Sequence, residues 1–122
     1  MSDILVVDDS SAIRKAIRRI LESMGFPVRE AADGQQALDA CRSVRPRAIV
    51  CDIDMPVMDG LTFVRELRRL SAMSDVPVIM CTTHNTFEKI QEAMRLGASE
   101  YIMKPFDAEI IEGKLASCGI AA

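Results

Sequence analysis

Ile4-Leu5-Val6-Val7-Asp8-Asp9 is an unbroken apolar run that ends abruptly in two carboxylates. A strand with one wet face alternates apolar and polar residues, whereas a strand covered on both faces is apolar throughout, as in a parallel sheet packed between helices. Ala48-Ile49-Val50-Cys51 before Asp52 has the same form, and so, nearly, does Val76–Cys81 before Thr82-Thr83. Weaker runs of strand length lie at Val28–Ala32 and Tyr101–Met103.

Helical patterns fill the intervals. Ile13, Ile17, Ile20, Leu21 and Met24 keep helical spacing after Ser10 and Ser11, either of which can cap, and Gly25 supplies a left-handed stop. Leu61, Val64, Leu67 and Leu70 follow Asp59-Gly60 in the same way, and Phe87, Ile90, Ala93, Met94 and Leu96 run up to Gly97. Gln35–Val44 is a weaker helix, and Asp107–Ala116 carries Gly113 inside it. Strands alternating with helices predict an α/β, flavodoxin-like, doubly wound domain of five parallel strands and five helices. Right-handed crossovers make 2-1-3-4-5 the natural strand order.

Composition bounds the function. The 122 residues suit one domain spanning 1–122, and the pattern of elements assigns none of them to an effector domain. Hydrophobic residues make up 49% and charged residues 27%, a globular balance that excludes a disordered tail. No apolar run reaches the ~20 residues that span a bilayer, and two carboxylates interrupt the N-terminus before a signal-peptide core can form. The expectation is a cytoplasmic protein with no membrane insertion. A net charge of −3 argues against nucleic acid as a partner. The four cysteines, Cys41, Cys51, Cys81 and Cys118, show neither CxxC nor zinc spacing and read as packing residues.

Parallel strands place their carboxyl ends on one rim, where ligands of such folds bind. This sequence sets Asp8-Asp9, Asp52 with Asp54, Thr82-Thr83 and Lys104-Pro105 at four strand ends. Two carboxylates ~4 Å apart repel by about 4 kcal/mol at an effective dielectric near 20, so such a cluster needs a proton or a cation. Hard oxygen donors point to Mg²⁺, with Mn²⁺ as substitute. A divalent cation, a lysine and a threonine hydroxyl around a carboxylate form a site for a phosphoryl group, with the carboxylate as nucleophile.

With these stretches, together with Asp52-Ile53-Asp54-Met55-Pro56-Val57-Met58-Asp59-Gly60, Pro77–Thr82 and Gly97–Phe106, the chain resembles a response-regulator receiver domain. This is the CheY-like phosphoacceptor of two-component signalling, and the resemblance runs from about Ile4 to Leu115. It implies Asp52 as the phosphorylated residue, Asp9 as a direct Mg²⁺ ligand, Asp8 as a ligand through water, and the backbone carbonyl of Asp54 as a further ligand. It also implies a cis Lys104-Pro105 bond. Lys104 would pair first with Asp52 and then with the phosphoryl oxygens. Thr82 would turn towards the phosphoryl group, and Tyr101 would follow from exposed to buried. Thr83 stands where receivers usually have Ala or Gly, which leaves Thr83 as an alternative switch hydroxyl. Asp54 and His84 fall at variable positions that help set how fast water removes the phosphoryl group.

The implied protein is not an enzyme with turnover but a stand-alone regulator, at most labelling itself from small phosphodonors and dephosphorylating itself. Its donor would be a histidine kinase or a histidine phosphotransfer domain, docking beside the basic stretch Arg14, Lys15 and Arg18. Ile90, Met94, Tyr101 and Lys114 would form the output face for an as yet unidentified protein, such as a chemotaxis or motility target. A monomer is expected, with dimerisation on phosphorylation as the alternative state. A relay intermediate or phosphate sink is the alternative role. Asp52-x-Asp54 also resembles the nucleophile motif of haloacid-dehalogenase-type phosphatases, but there that motif opens the chain and the acidic pair comes late. An FMN-binding flavodoxin is disfavoured because no Gly/Ser/Thr-rich phosphate loop follows the first strand.

Overall fold

The structure, a computed structural model, describes residues 3–83 and 87–121. In chain order it contains β1 (Ile4–Val7), α1 (Ser11–Ser23), β2 (Val28–Ala31), α2 (Gly34–Ser43), β3 (Ala48–Cys51) and α3 (Gly60–Arg68). A 3-10 turn at Ser71–Met73 leads to β4 (Val78–Thr82), α4 (Phe87–Leu96), β5 (Glu100–Met103) and α5 (Ala108–Ser117). The strands form one parallel sheet in the order β2-β1-β3-β4-β5.

The apolar runs divide by the two-residue period of a strand. Leu5, Val7, Ile49, Cys51, Val78 and Met80 join one core with Phe63, Val64 and Leu67 of α3. Ile4, Val6, Ala48, Val50, Ile79 and Cys81 join the other with Ile17 and Leu21 of α1 and Ile111 and Leu115 of α5. Both faces of each central strand are therefore dry, which is why no polar residue interrupts those runs. The edge strands β2 and β5 are only partly buried and accommodate Arg29, Glu30 and Glu100.

Side-chain caps fix where helices begin. Ser10, not Ser11, caps α1 by accepting from the Ile13 amide at 3.3 Å. Asp33, Asp59 and Asp107 do the same for α2, α3 and α5 at 2.8, 2.8 and 2.9 Å. At the end of α1, Gly25 takes φ 94 while the Phe26 amide donates to the Leu21 carbonyl at 3.0 Å. The fourth strand starts two residues later than its apolar run because Pro77 has no N–H for the ladder, although its carbonyl still accepts from Ile49 at 2.9 Å. Among the described residues, no helix is long and apolar enough to cross a membrane.

The sheet ladder runs one residue beyond the strands. The amide of Asp8 donates to Ala31 at 3.1 Å, that of Asp52 to Val7 at 2.9 Å, and that of Lys104 to Thr82 at 2.8 Å. Three residues of the rim thus inherit their placement from backbone hydrogen bonds. Between Asp54 and α3, the Met58 amide donates to the Pro56 carbonyl at 2.7 Å across Val57, which takes φ 67. Gly60 then returns the chain against the site, donating to the Ile53 carbonyl at 2.7 Å. A Cβ at Gly60 would collide with the backbone carbonyl oxygen of Asp52. Replacing Gly60 with Ala should therefore destabilise the fold by about 1–3 kcal/mol, the range of overpacked core sites, in urea denaturation. A variant as stable as the parent would show that this close approach is not required.

Candidate functional site

Asp8 is 2% exposed and its carboxylate is fully engaged. Oδ1 accepts from the Ser10 amide at 2.9 Å, and Oδ2 accepts from Lys104 Nζ at 2.8 Å. Asp52 Oδ1 accepts from the Ile53 amide at 2.9 Å and lies 3.5 Å from the same Lys104 Nζ. Asp9 is exposed beside them. Each of Asp8, Asp9 and Asp52 offers a carboxylate oxygen within 4.8 Å of the other two.

The electrostatics of this cluster are those of crowding. Burial pushes the Asp52 carboxyl up to about 6, against the pull of Lys104 and with the push of Asp8. Burial also works against the Lys104 ammonium, but the hydrogen bond from it to Asp8 and the charges of Asp52 and Asp8 outweigh that and raise its pKa. Burial holds the nearby thiols protonated, Cys51 far above the ordinary range and Cys81 at about 12. The donors on offer to a metal are thus carboxylate oxygens, a set that suits a hard divalent cation with waters left in its shell.

Thr82 is fully buried at the end of β4, whereas Thr83 is exposed. The Lys104-Pro105 bond is cis. Tyr101 is 38% exposed, with Lys114 Nζ 5.4 Å from its ring centroid and the same ammonium 3.1 Å from Glu100. Met94 is exposed and Ile90 half-buried on α4. His84 lies outside the described residues.

Lys104 pairs with Asp52 at 3.5 Å and bonds Asp8 more closely, at 2.8 Å. Part of the basic stretch of α1 is paired across to β2. Arg14 Nε pairs with Glu30 at 2.9 Å and Arg18 Nη1 with the same carboxylate at 2.6 Å, leaving Lys15 exposed.

Sequence reading missed what Arg14 and Glu30 do. Arg14 Nη1 donates to the backbone carbonyl of Asp8 at 2.6 Å, so the pair braces the turn that carries the acids. The i, i+4 spacing of Arg14 and Arg18 was visible, but nothing in one sequence couples it to a glutamate on a later strand. Lys89 was also missed; its Nζ lies 3.3 Å from Asp54 Oδ1.

Comparison with known proteins follows the same lines. Residues 4–116 match the response regulator receiver domain family. The chain is 42% identical over 106 residues to the response regulator MprA of Mycolicibacterium vanbaalenii, covering 87% of this chain and 45% of that protein. It thus spans less than half the length of that curated relative. Among solved structures, the chemotaxis protein CheY4 of Vibrio cholerae superposes with a TM-score of 0.91 at 37% identity, over 97% of this chain and 98% of that one. The CheY of a CheX–CheY–BeF3–Mg complex from Borrelia burgdorferi gives 0.90 at 27% identity, over 98% and 90% of the two chains.

The raised carboxyl of Asp52 has a consequence for stability. Its folded-state value of about 6 exceeds the ordinary value of an unfolded aspartate, so the stability it allows is present at low pH and lost as pH rises through that value. Without divalent cations, Asp52→Asn should raise the midpoint of thermal unfolding at neutral pH by about 4 °C. The gap should close as the pH falls below the unfolded value of about 4. Circular dichroism melts across that range check it, and an unchanged or lower midpoint at neutral pH would refute the crowding argument.

Proposed function

The chain belongs to the response regulator receiver domain family, and from that membership we propose that Asp52 accepts a phosphoryl group from a histidine kinase or phosphotransfer protein. The observation that carries this reading is a buried carboxylate 3.5 Å from the Lys104 ammonium, with oxygens of Asp8 and Asp9 within 4.8 Å.

Asp9, Asp52 and the backbone carbonyl of Asp54 would hold Mg²⁺, with Asp8 engaging it through water. When bound, the ion supplies charge neutralisation on the transferring oxygens and releases the mutual repulsion of the acids. An Asp52 carboxylate oxygen attacks phosphorus and the bond from phosphorus to the donor imidazole nitrogen breaks; with the ring protonated on its other nitrogen beforehand, that electron pair leaves a neutral imidazole. Lys104 is placed to donate to a phosphoryl oxygen by a small shift from Asp8. Thr82 supplies the hydroxyl that follows the new charge. The acceptor role is one step in a relay and not multiple turnover.

The donor's approach is supported by a groove of about 430 Å³ beside Lys104, walled by Ile13, Ala16 and Ile20 of α1 and by Pro105 and Phe106. An apolar helix face presenting a phosphohistidine suits it. Output would run through the exposed Tyr101 and Met94, with Ile90 and Lys114 beside them. The likeness to the chemotaxis protein CheY4 supports a chemotaxis-type target for this face, and we place the protein in the cytoplasm as part of the same proposal.

Acetyl phosphate with Mg²⁺, followed by intact mass, tests the acceptor. Wild type should gain one phosphoryl group and Asp52→Asn none; equal labelling of both would move the acceptor elsewhere. The chain has one tyrosine and no tryptophan, so intrinsic fluorescence reports on Tyr101 alone. Lys104→Ala should still take up phosphate but leave Tyr101 emission unchanged, where wild type shifts. A normal shift in that variant would remove Lys104 from the coupling.

A further inference from the structure

Asp9 is exposed, yet the peptide that precedes it is held from several sides. The Asp8 amide donates to the Ala31 carbonyl at 3.1 Å, and the Ser10 amide donates to Asp8 Oδ1 at 2.9 Å. The carbonyl that joins Asp8 to Asp9 accepts from Arg14 Nη1 at 2.6 Å. That guanidinium is itself anchored. Its Nε donates to Glu30 Oε1 at 2.9 Å, and the other oxygen of Glu30 accepts from Arg18 at 2.6 Å. Glu30 stands on β2 opposite Val6, two residues before Asp8. One arginine therefore spans a carboxylate on the edge strand and the peptide between two acids. We propose that Arg14, anchored by Glu30, is a positioning residue that fixes the Asp8-Asp9 peptide and so aims the Asp9 carboxylate at the divalent cation. This rests on the acceptor and Mg²⁺ reading above and adds two residues to it.

Two effects of Arg14 oppose each other. As a charge near three carboxylates it competes with a cation, and its removal would tighten Mg²⁺ binding. As a brace it restricts a peptide whose residue must reach the ion, and its removal loosens binding. Groups that orient metal ligands are worth about 10–100-fold in affinity, whereas a partly solvated charge is worth a factor of about 1.5 to 5. The brace therefore sets the sign. Lysine separates the two effects: it keeps the charge but lacks the rigid planar fork that holds Glu30 and the Asp8 carbonyl at once.

The test begins with Mg²⁺ alone, titrated by calorimetry into the whole chain. Arg14→Lys should weaken binding by about tenfold, and Arg14→Met by at least as much. Arg14→Lys, which keeps the stem and the charge, decides the matter if Arg14→Met fails to fold. Glu30→Gln should also weaken binding, and in that background Arg14→Lys should lose less than it does alone, because the anchor has already been weakened. The second readout is labelling by acetyl phosphate. Arg14→Lys should raise the Mg²⁺ concentration for half-maximal rate by about tenfold and leave the limiting rate within about twofold of wild type. A merely structural role would lower stability in urea without moving that half-saturation. Wild-type Mg²⁺ affinity in Arg14→Lys, tighter binding in Arg14→Met, fully additive losses in the double variant, or a lower limiting rate at an unchanged half-saturation would each overturn the proposal. If wild type takes no label while the Mg²⁺ affinities follow this pattern, the acceptor reading fails and the brace stands.

Discussion

The repulsion among carboxylates at one end of the sheet is the constraint around which the rest of the molecule is arranged. A freely moving aspartate would leave this cluster, and burial there pushes the Asp52 carboxyl up to about 6. Asp8 and Asp52 stay because the backbone ladder fixes their amides and a single ammonium bridges them at 2.8 and 3.5 Å. Holding them there requires strands that end together, hence parallel strands, hence helical crossovers on both faces and dry central strands. The apolar runs and the acids that stop them are two consequences of one requirement.

That coupling explains why so much of the fold was legible. Ile4–Val7 and Ala48–Cys51 announce strands dry on both faces, and the first charged residue after each marks the rim. The edge strands were harder, since β5 includes Glu100, whose charge is answered by Lys114 of α5 at 3.1 Å. The 3-10 turn at Ser71–Met73 was not visible because Leu70 and Met73 continue the apolar spacing of α3 after the helix has ended at Arg68. Helix starts were set by single hydrogen bonds accepted by the side chains of Ser10, Asp33 and Asp107, which local sequence suggests but does not choose among.

The site divides in the same way. Residues whose place follows from the strand they terminate, Asp8, Asp52, Thr82 and Lys104, could be found from one dimension. Those that act on them from other elements could not. Arg14 belongs to α1 and Glu30 to an edge strand, and their 2.9 Å contact exists only because β1 and β2 pair with Val6 opposite Glu30. Lys89 is one of several charges along α4, distinguished only by the loop that α4 packs near. Sequence reading sees what a strand delivers to its own end; it does not see which neighbour answers.

In the proposed acceptor reading, a charge placed on Asp52 would reach a surface along one strand. Lys104 directly follows β5, whose residues are in register with β4 through Met80 opposite Tyr101 and Thr82 opposite Met103. The Lys104 amide is tied to the Thr82 carbonyl, so the two residues proposed to follow the acceptor's charge share one backbone hydrogen bond. Tyr101 lies three residues back along the same strand, roughly 10 Å away at strand rise. Its ring rests near the Lys114 ammonium on an incompletely covered surface, not locked into a core. A tyrosine so placed is not held by a tight core, and in the proposed reading a pull on Thr82 or Lys104 would act on the strand that carries it. The buried ladder supplies the stiffness, and the half-exposed ring supplies the freedom, that a switch of this kind needs.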